Sequence, residues 1–364
     1  MTKEDLTLLG ILYFLAFIAS MGCTKLIIRN ASRVGLICEP TERCAHVTPT
    51  PKGGGLAFVA SFLVFVILLF SWNYITANIA LSIGIGSFLI SVLGLLDDAL
   101  NLSVKSRLIT QILIISTTLL AFSPLPPIEL PGLVLNVPYF SWIFTTLLLV
   151  WWLNLFNFMD GIDGLASTES ICVLLSAITL IGGRNLLSDE GILIFLLIVS
   201  LLGFIAFNWA PAQIFMGDVG STFLGYILGM IAVSTIINNS LNIWTWLILS
   251  GVFSVDATTT LLRRMLNGER WYQAHKSHAY QKVSRWLELL DGTHKGRVVA
   301  HRKVSLYVVL INIFWLFPLA GSTLVWTTWG PWILVIAWAP LVFLAFYFGA
   351  GTQKELAPNG RSYG

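Results

Sequence analysis

Eleven apolar runs recur along this 364-residue chain, near residues 7–28, 54–72, 77–96, 108–123, 140–158, 168–183, 191–208, 222–238, 242–260, 304–325 and 330–349, and most of them carry no charge. An α-helix rises about 1.5 Å per residue and the hydrocarbon of a bilayer is about 30 Å thick, so roughly 17 to 25 apolar residues make one crossing. The pattern predicts an all-α polytopic membrane protein of ten or eleven transmembrane helices, folded as a single domain over residues 1–364. Only 11% of the residues are charged, against about 25% in soluble domains. The first run lacks a small-residue cleavage site and is followed by a basic loop, so it is expected to be retained as a membrane span. The four cysteines, Cys23, Cys38, Cys44 and Cys172, show no CxxC spacing and predict neither a disulfide framework nor a zinc site. A net charge of +3 gives no support for a nucleic-acid partner.

Alternating the loops between two sides places every Lys and Arg except Lys3 and Arg184 on one side. By the positive-inside rule that side is the cytoplasm, with the N-terminus outside and the C-terminus inside. The 124–139 connection has no basic residue and carries two short apolar stretches around Pro-Gly, which predicts a small external hairpin. The polar stretches fall on the cytoplasmic side: 46–55, 94–107, 154–167, 207–222 and the loop 263–303. A transporter needs sites reachable from both faces and usually seats them near the midplane; this one-sided distribution suggests an active site.

A charge in or beside hydrocarbon is costly unless it is paired, hydrated or used, which makes the acids of these stretches candidates. Asp97 and Asp98 close the third run; neighbouring carboxylates repel, so they imply a cation nearby or open water, and the plain alternative is a solvated helix end. Asn154, Asn157, Asp160 and Asp163 follow at three-residue steps, which would form one polar stripe if the segment were helical. Their oxygens are hard ligands of the kind Mg²⁺ accepts. Asp218 sits in IFMGDVGST, where a glycine-containing turn at a helix start can meet a phosphate; alone, the string could be a simple helix cap. The 263–303 loop carries ten Lys and Arg with His275, His278, His294 and His301. Most of that charge reads as a topology signal and lipid contact. WYQAHKSHAYQ is different: His275, Lys276 and His278, with Trp271, Tyr272 and Tyr280, could grip an anionic or ring-bearing substrate. No HExxH is present to suggest a metalloprotease.

Together DD at 97–98, NxxNxxDGxDGLA at 154–166, NxxPAxIFMGDxGS at 208–221 and the histidine loop at 275–281 resemble the polyprenyl-phosphate N-acetylhexosamine-1-phosphate transferase superfamily, in that family's order. The resemblance spans about residues 46–281. The family's loop usually reads HxHH or HHH; here Tyr280 and Gln281 replace the histidines that follow His278. This departure is similar to the branch that starts O-antigen repeats rather than to the peptidoglycan enzyme.

The resemblance implies that undecaprenyl phosphate attacks a UDP-N-acetylamino sugar, with UMP leaving, in a bacterial inner membrane and on the cytoplasmic face. It implies Mg²⁺, with Mn²⁺ as a substitute, bound by Asp218 and Asn157. Asp97 and Asp98 would face the lipid phosphate, with Asp160 and His278 completing the catalytic set. Asp163 would lie at the uridine. Lys52, Asn208, Arg263, Arg264, His275 and Lys276 would complete substrate binding, the cations neutralising the diphosphate. Besides these substrates the expected partners are membrane lipids and a second copy in a homodimer. A proton-coupled carrier of a lipid-linked or nucleotide sugar is the alternative, because intramembrane acids also serve proton relays. A CDP-alcohol phosphotransferase is disfavoured because DGLAS lacks the arginine of DGxxAR.

Overall fold

The computed structural model describes residues 3–34, 37–38, 49–130, 133–135, 137–270, 272–273, 275–353, 355–356 and 362–363. Cys44, Trp271 and residues 46–48 of the first polar stretch lie outside them.

Each of the eleven apolar runs is helical. The first five rods are α1 (Lys3–Val34), α2 (Gly55–Ser71), α3 (Ala77–Ile79) continuing through a π-turn into α4 (Gly86–Leu100), α5 (Val104–Thr118) and α6 (Pro138–Met159). The next three are α7 (Leu165–Ile181), α8 (Asp189–Asn208) and α9 (Asp218–Ile237). Beyond them come α10 (Ile243–Leu249) and α11 (Gly251–Leu266), the short α12 (Ala279–Asp291), α13 (Gly296–Ile311) leading into α14 (Phe317–Val325), and α15 (Gly330–Tyr347). Among the described residues eight rods are long and apolar enough to cross a membrane; α10 and α11 make a ninth that bends by 76°, and α2 and α7 are shorter apolar helices of 17 residues each.

Local chemistry sets the ends. Ser103, Ser188 and Asn242 are N-caps whose side chains accept the amides of Ser106, Gly191 and Thr245, satisfying donors that a helix leaves unpaired in its first turn. Asn101, at a positive φ of 51°, stops α4 three residues after Asp98. The 124–139 connection contains the expected hairpin, with Ile128–Leu130 paired antiparallel to Leu133–Leu135.

The centre of the bundle is α9, buried without interruption from Val219 to Thr235 and packed against α2, α4 and α6. The approach is close because glycines face it. A Cβ on Gly55 would stand 2.5 Å from Gly220 Cα, and one on Gly94 would stand 2.7 Å from the Asp218 carbonyl oxygen. Small residues serve membrane helices in this way because lipid offers no hydrophobic drive between them, and contact must come from close packing.

The expected polar stripe needs correction. Asn154 and Asn157 lie on α6, but the helix ends at Met159; Asp160 leaves it at φ −84°, ψ 59°, and Asp163 sits in the turn before Gly164. Gly164 takes a φ of 74°, a left-handed conformation that favours glycine and prevents the helix from running on. Asn154 bonds Gln111 and the Val150 carbonyl instead of joining the acids.

Candidate active site

Segments far apart in sequence meet at one end of the bundle around a cavity of about 550 Å³. The 51–55 segment is tied to the 215–216 segment by three backbone bonds, Gly54 N–H to the Phe215 carbonyl, Gly55 N–H to the Met216 carbonyl and Phe215 N–H to the Pro51 carbonyl, each 2.8 Å. This brings Lys52 to the wall, where its Nζ donates to the Asp98 carbonyl at 3.2 Å. Asn208, buried, donates to the Ile214 carbonyl at 2.9 Å and braces the same loop.

Asp218 opens α9 immediately after Gly217, whose φ is 76°. A Cβ there would stand 2.8 Å from Asp98 Oδ2, so the glycine lets Asp98 reach the Val219 amide at 3.3 Å, one of the unpaired donors of the first turn of α9. Asn157 donates to Asp218 Oδ1 at 2.9 Å and to Ser221 Oγ at 3.0 Å. Asp98, Asn157, Asp160, Asp163, Asn208 and Asp218 all line the cavity.

Asp97 does not. It is buried beside the site, accepts the Leu102 amide at 2.9 Å and pairs with Arg107, whose guanidinium also lies 3.8 Å from Asp218 Oδ2. Asp160 stands among like charges: burial first, then Asp218, Asp98 and Asp163, push its carboxyl up to about 7. Asp163 accepts the Ala212 amide at 3.0 Å and lies 3.4 Å from Nδ1 of His301.

The basic loop divides. His275 and Lys276 line the cavity. Burial, then His278 and Arg264, push the His275 ring down to about 3, so it enters the site neutral. His278 is 2% exposed and off the wall, with Nδ1 3.4 Å from Asp256 Oδ1 and its ring stacked between Phe158 and Tyr280. Arg263 donates to the Ala350 carbonyl and lies over the Phe346 ring, while Arg264 pairs with Glu269 at 2.7 Å. Both arginines brace the loop and the chain after α15 rather than lining the cavity. Tyr272 is exposed, and Tyr280 is buried.

The residues that sequence reasoning passed over come from α12 and α13. Gln281, Ser284, Arg285 and Glu288 line the cavity at i, i+3, i+4 and i+7, one face of a helix; that spacing was a usable signal. Arg297 and His301 add the start of α13. Nothing in the local sequence marks Asp256 or Arg107, whose partners are distant.

The donor set suits Mg²⁺. Asp98, Asp160, Asp218 and the Asn157 carbonyl supply hard oxygens, and the amide bond from Asn157 to Asp218 orients that carbonyl. Among the described residues no three His, Cys, Asp or Glu side chains are grouped to hold a metal by themselves.

Fold and site together define an integral membrane protein with an acid-rich pocket at one end of its helix bundle. The family described as glycosyl transferase family 4 matches residues 80–236. A probable undecaprenyl-phosphate N-acetylglucosaminyl 1-phosphate transferase of Bacillus subtilis is 30% identical over 292 residues, 78% of this chain and 79% of its own length. A phospho-N-acetylmuramoyl-pentapeptide-transferase of Lactococcus lactis is 30% identical over 307 residues, 79% of this chain and 86% of its own. A decaprenyl-phosphate N-acetylglucosaminephosphotransferase of Mycobacterium tuberculosis is 27% identical over 336 residues, 84% of this chain and 80% of its own. The chain belongs to the polyprenyl-phosphate N-acetylhexosamine-1-phosphate transferase superfamily.

Proposed function

We propose that the protein transfers an N-acetylhexosamine 1-phosphate from its UDP donor to undecaprenyl phosphate at the cytoplasmic face of a bacterial inner membrane, releasing UMP and starting a lipid-linked glycan of the O-antigen type. The observation that carries this reading is the cavity itself, which gathers Lys52, Asp98, Asn157, Asp160, Asp163, Asn208 and Asp218 from four separated stretches.

An oxygen of the lipid phosphate forms a bond to the sugar-side phosphorus of the donor, and the bond from that phosphorus to the UMP oxygen breaks, its electron pair leaving with UMP. Two anions must meet, so the work is positioning and charge neutralisation. Asp98, held on the Val219 amide, orients the lipid phosphate and accepts its proton if it arrives protonated. Lys52 and Lys276 stand on the wall as cations for the phosphates, and neutral His275 offers a hydrogen bond. Asp163, held by the Ala212 amide and by His301, contacts the uridine in this reading. Asp218 and Asn157 would hold Mg²⁺, for which Mn²⁺ can substitute. When bound, that cation offsets the charge of the donor diphosphate.

The test is UMP release by the purified protein in detergent with undecaprenyl phosphate, Mg²⁺ and a panel of UDP-N-acetylhexosamines. Release with one or more donors supports the reading. No UMP with any of them overturns it and favours a carrier, since transport breaks no bond.

A further inference from the structure

Tyr280 stands where the resembled family usually carries a histidine, and its contacts tie two helices together. Asp256, buried in α11, accepts the Ala279 amide on Oδ1 at 2.8 Å and the Tyr280 amide on Oδ2 at 2.9 Å. These are the first two residues of α12, whose amides have no partner within the helix. A carboxylate there also meets the positive end of the helix dipole. Asp256 is thus a cap supplied from another helix. Thr260 Oγ1 donates to the same carboxylate at 3.1 Å.

At its other end Tyr280 reaches α6. Its hydroxyl donates to the Phe158 carbonyl at 3.2 Å, one of the last carbonyls of α6 and therefore also without a helical partner. Burial, then the carboxylates of Asp256 and Asp160, raise the pKa of the phenol and keep it protonated as a donor. The next turn of chain is Asp160–Gly161. A Cβ on Gly161 would stand 2.0 Å from the Tyr280 hydroxyl oxygen. Gly161 is not among the glycines at positive φ, so its backbone does not require glycine; the hydroxyl does.

We infer that Asp256, Tyr280 and Gly161 form a strut that fixes the acidic 160–163 turn relative to the α12 wall of the cavity, with Tyr280 as a positioning residue. One side of the cavity carries Asp160 and Asp163, the other Gln281, Ser284, Arg285 and Glu288. Tyr280 touches both, through its hydroxyl on α6 and its own place in α12. A histidine at 280 has a shorter side chain and cannot span the same distance to the Phe158 carbonyl.

The activity readout rests on the proposed transfer reaction; the thermal readout does not. UMP release and thermal unfolding in detergent are measured for wild type, Tyr280→Phe, Gly161→Ala and the double variant. Loss of the hydroxyl in Tyr280→Phe is expected to lower kcat about tenfold while donor KM stays within about twofold, the effect of one lost buried hydrogen bond. Gly161→Ala is expected to lose more activity and to melt lower. The double variant is expected to recover in both respects relative to Gly161→Ala, because the atom its methyl would strike is gone. Additive losses in the double variant, or wild-type kcat in Tyr280→Phe, overturn the strut. If wild type releases no UMP, the reaction assignment fails and the melting temperatures alone decide the strut: recovery in the double variant supports it and additivity rejects it.

Discussion

Asn157 donates its side-chain amide to Asp218 Oδ1 across 2.9 Å, joining the end of α6 to the first residue of α9. The bond links two motifs 61 residues apart and leaves the Asn157 carbonyl and the second Asp218 oxygen as hard donors. Asp218→Asn preserves the size of the group and removes its charge. Transfer should fall by orders of magnitude without recovery at excess Mg²⁺, as read by UMP release across a Mg²⁺ titration; recovery at high Mg²⁺ would indicate only weakened affinity.

Asp97 and Asp98 are adjacent but face different surroundings. Asp98→Asn should bind the UDP-sugar normally in calorimetry yet lose kcat, the signature of a contact made mainly in the transition state. Asp97→Asn leaves Arg107 only the longer 3.8 Å contact with Asp218 and should lower stability in detergent by about 2 kcal/mol, the scale of a charged hydrogen bond. Equal loss of donor binding in both variants would contradict this division.

Asp160 predicts a pH dependence. Its carboxyl binds a proton more tightly folded, up to about 7, than at its ordinary value of 3.8. Ionising it therefore opposes folding, and its contribution to stability falls as pH rises from 3.8 to about 7. Without divalent cation, wild type should lose stability relative to Asp160→Asn across this window, and Mg²⁺ should narrow the gap at pH 8. A gap that widens toward acid would reverse the sign and refute the assignment.

His301 stands 3.4 Å from the Asp163 carboxylate and the same distance from its amide nitrogen. Replacing it with alanine should remove the acceptor of the Asp163 amide, loosen that turn and raise donor KM about tenfold, the scale of one lost hydrogen bond, with a smaller effect on kcat. Steady-state kinetics with varied donor distinguishes this from a general loss of folded protein, which would lower the apparent kcat alone.

Single cysteines placed at the exposed positions 49, 101, 213 and 276 in a cysteine-free background report the side of the membrane. All four should resist an impermeant thiol reagent in spheroplasts and react after permeabilisation. Ready labelling of any two in intact spheroplasts would reverse the topology.

The apolar runs, the hairpin and the acids of the cavity were legible in the sequence because lipid imposes strong local rules. A crossing needs a long uncharged run, and an acid at its edge is expensive unless it has a use. Asp98, Asn157, Asp160, Asp163 and Asp218 stood out on those grounds and share one cavity. What only the tertiary structure decided was direction. Successive residues on a helix point about 100° apart, so Asp98 faces the cavity while Asp97 turns to Arg107. The basic loop held ten cations with no local rule to rank them, and the packing of α12 and α13 ranked them. Arg285, Arg297 and His301 reached the wall, Arg263 and Arg264 became braces, and His278 was buried against Asp256 while His275 took the open position. Side-chain chemistry is written in the chain one residue at a time, but which side chains face a common space depends on how separate helices dock, and that is set by contacts between residues that the sequence keeps far apart.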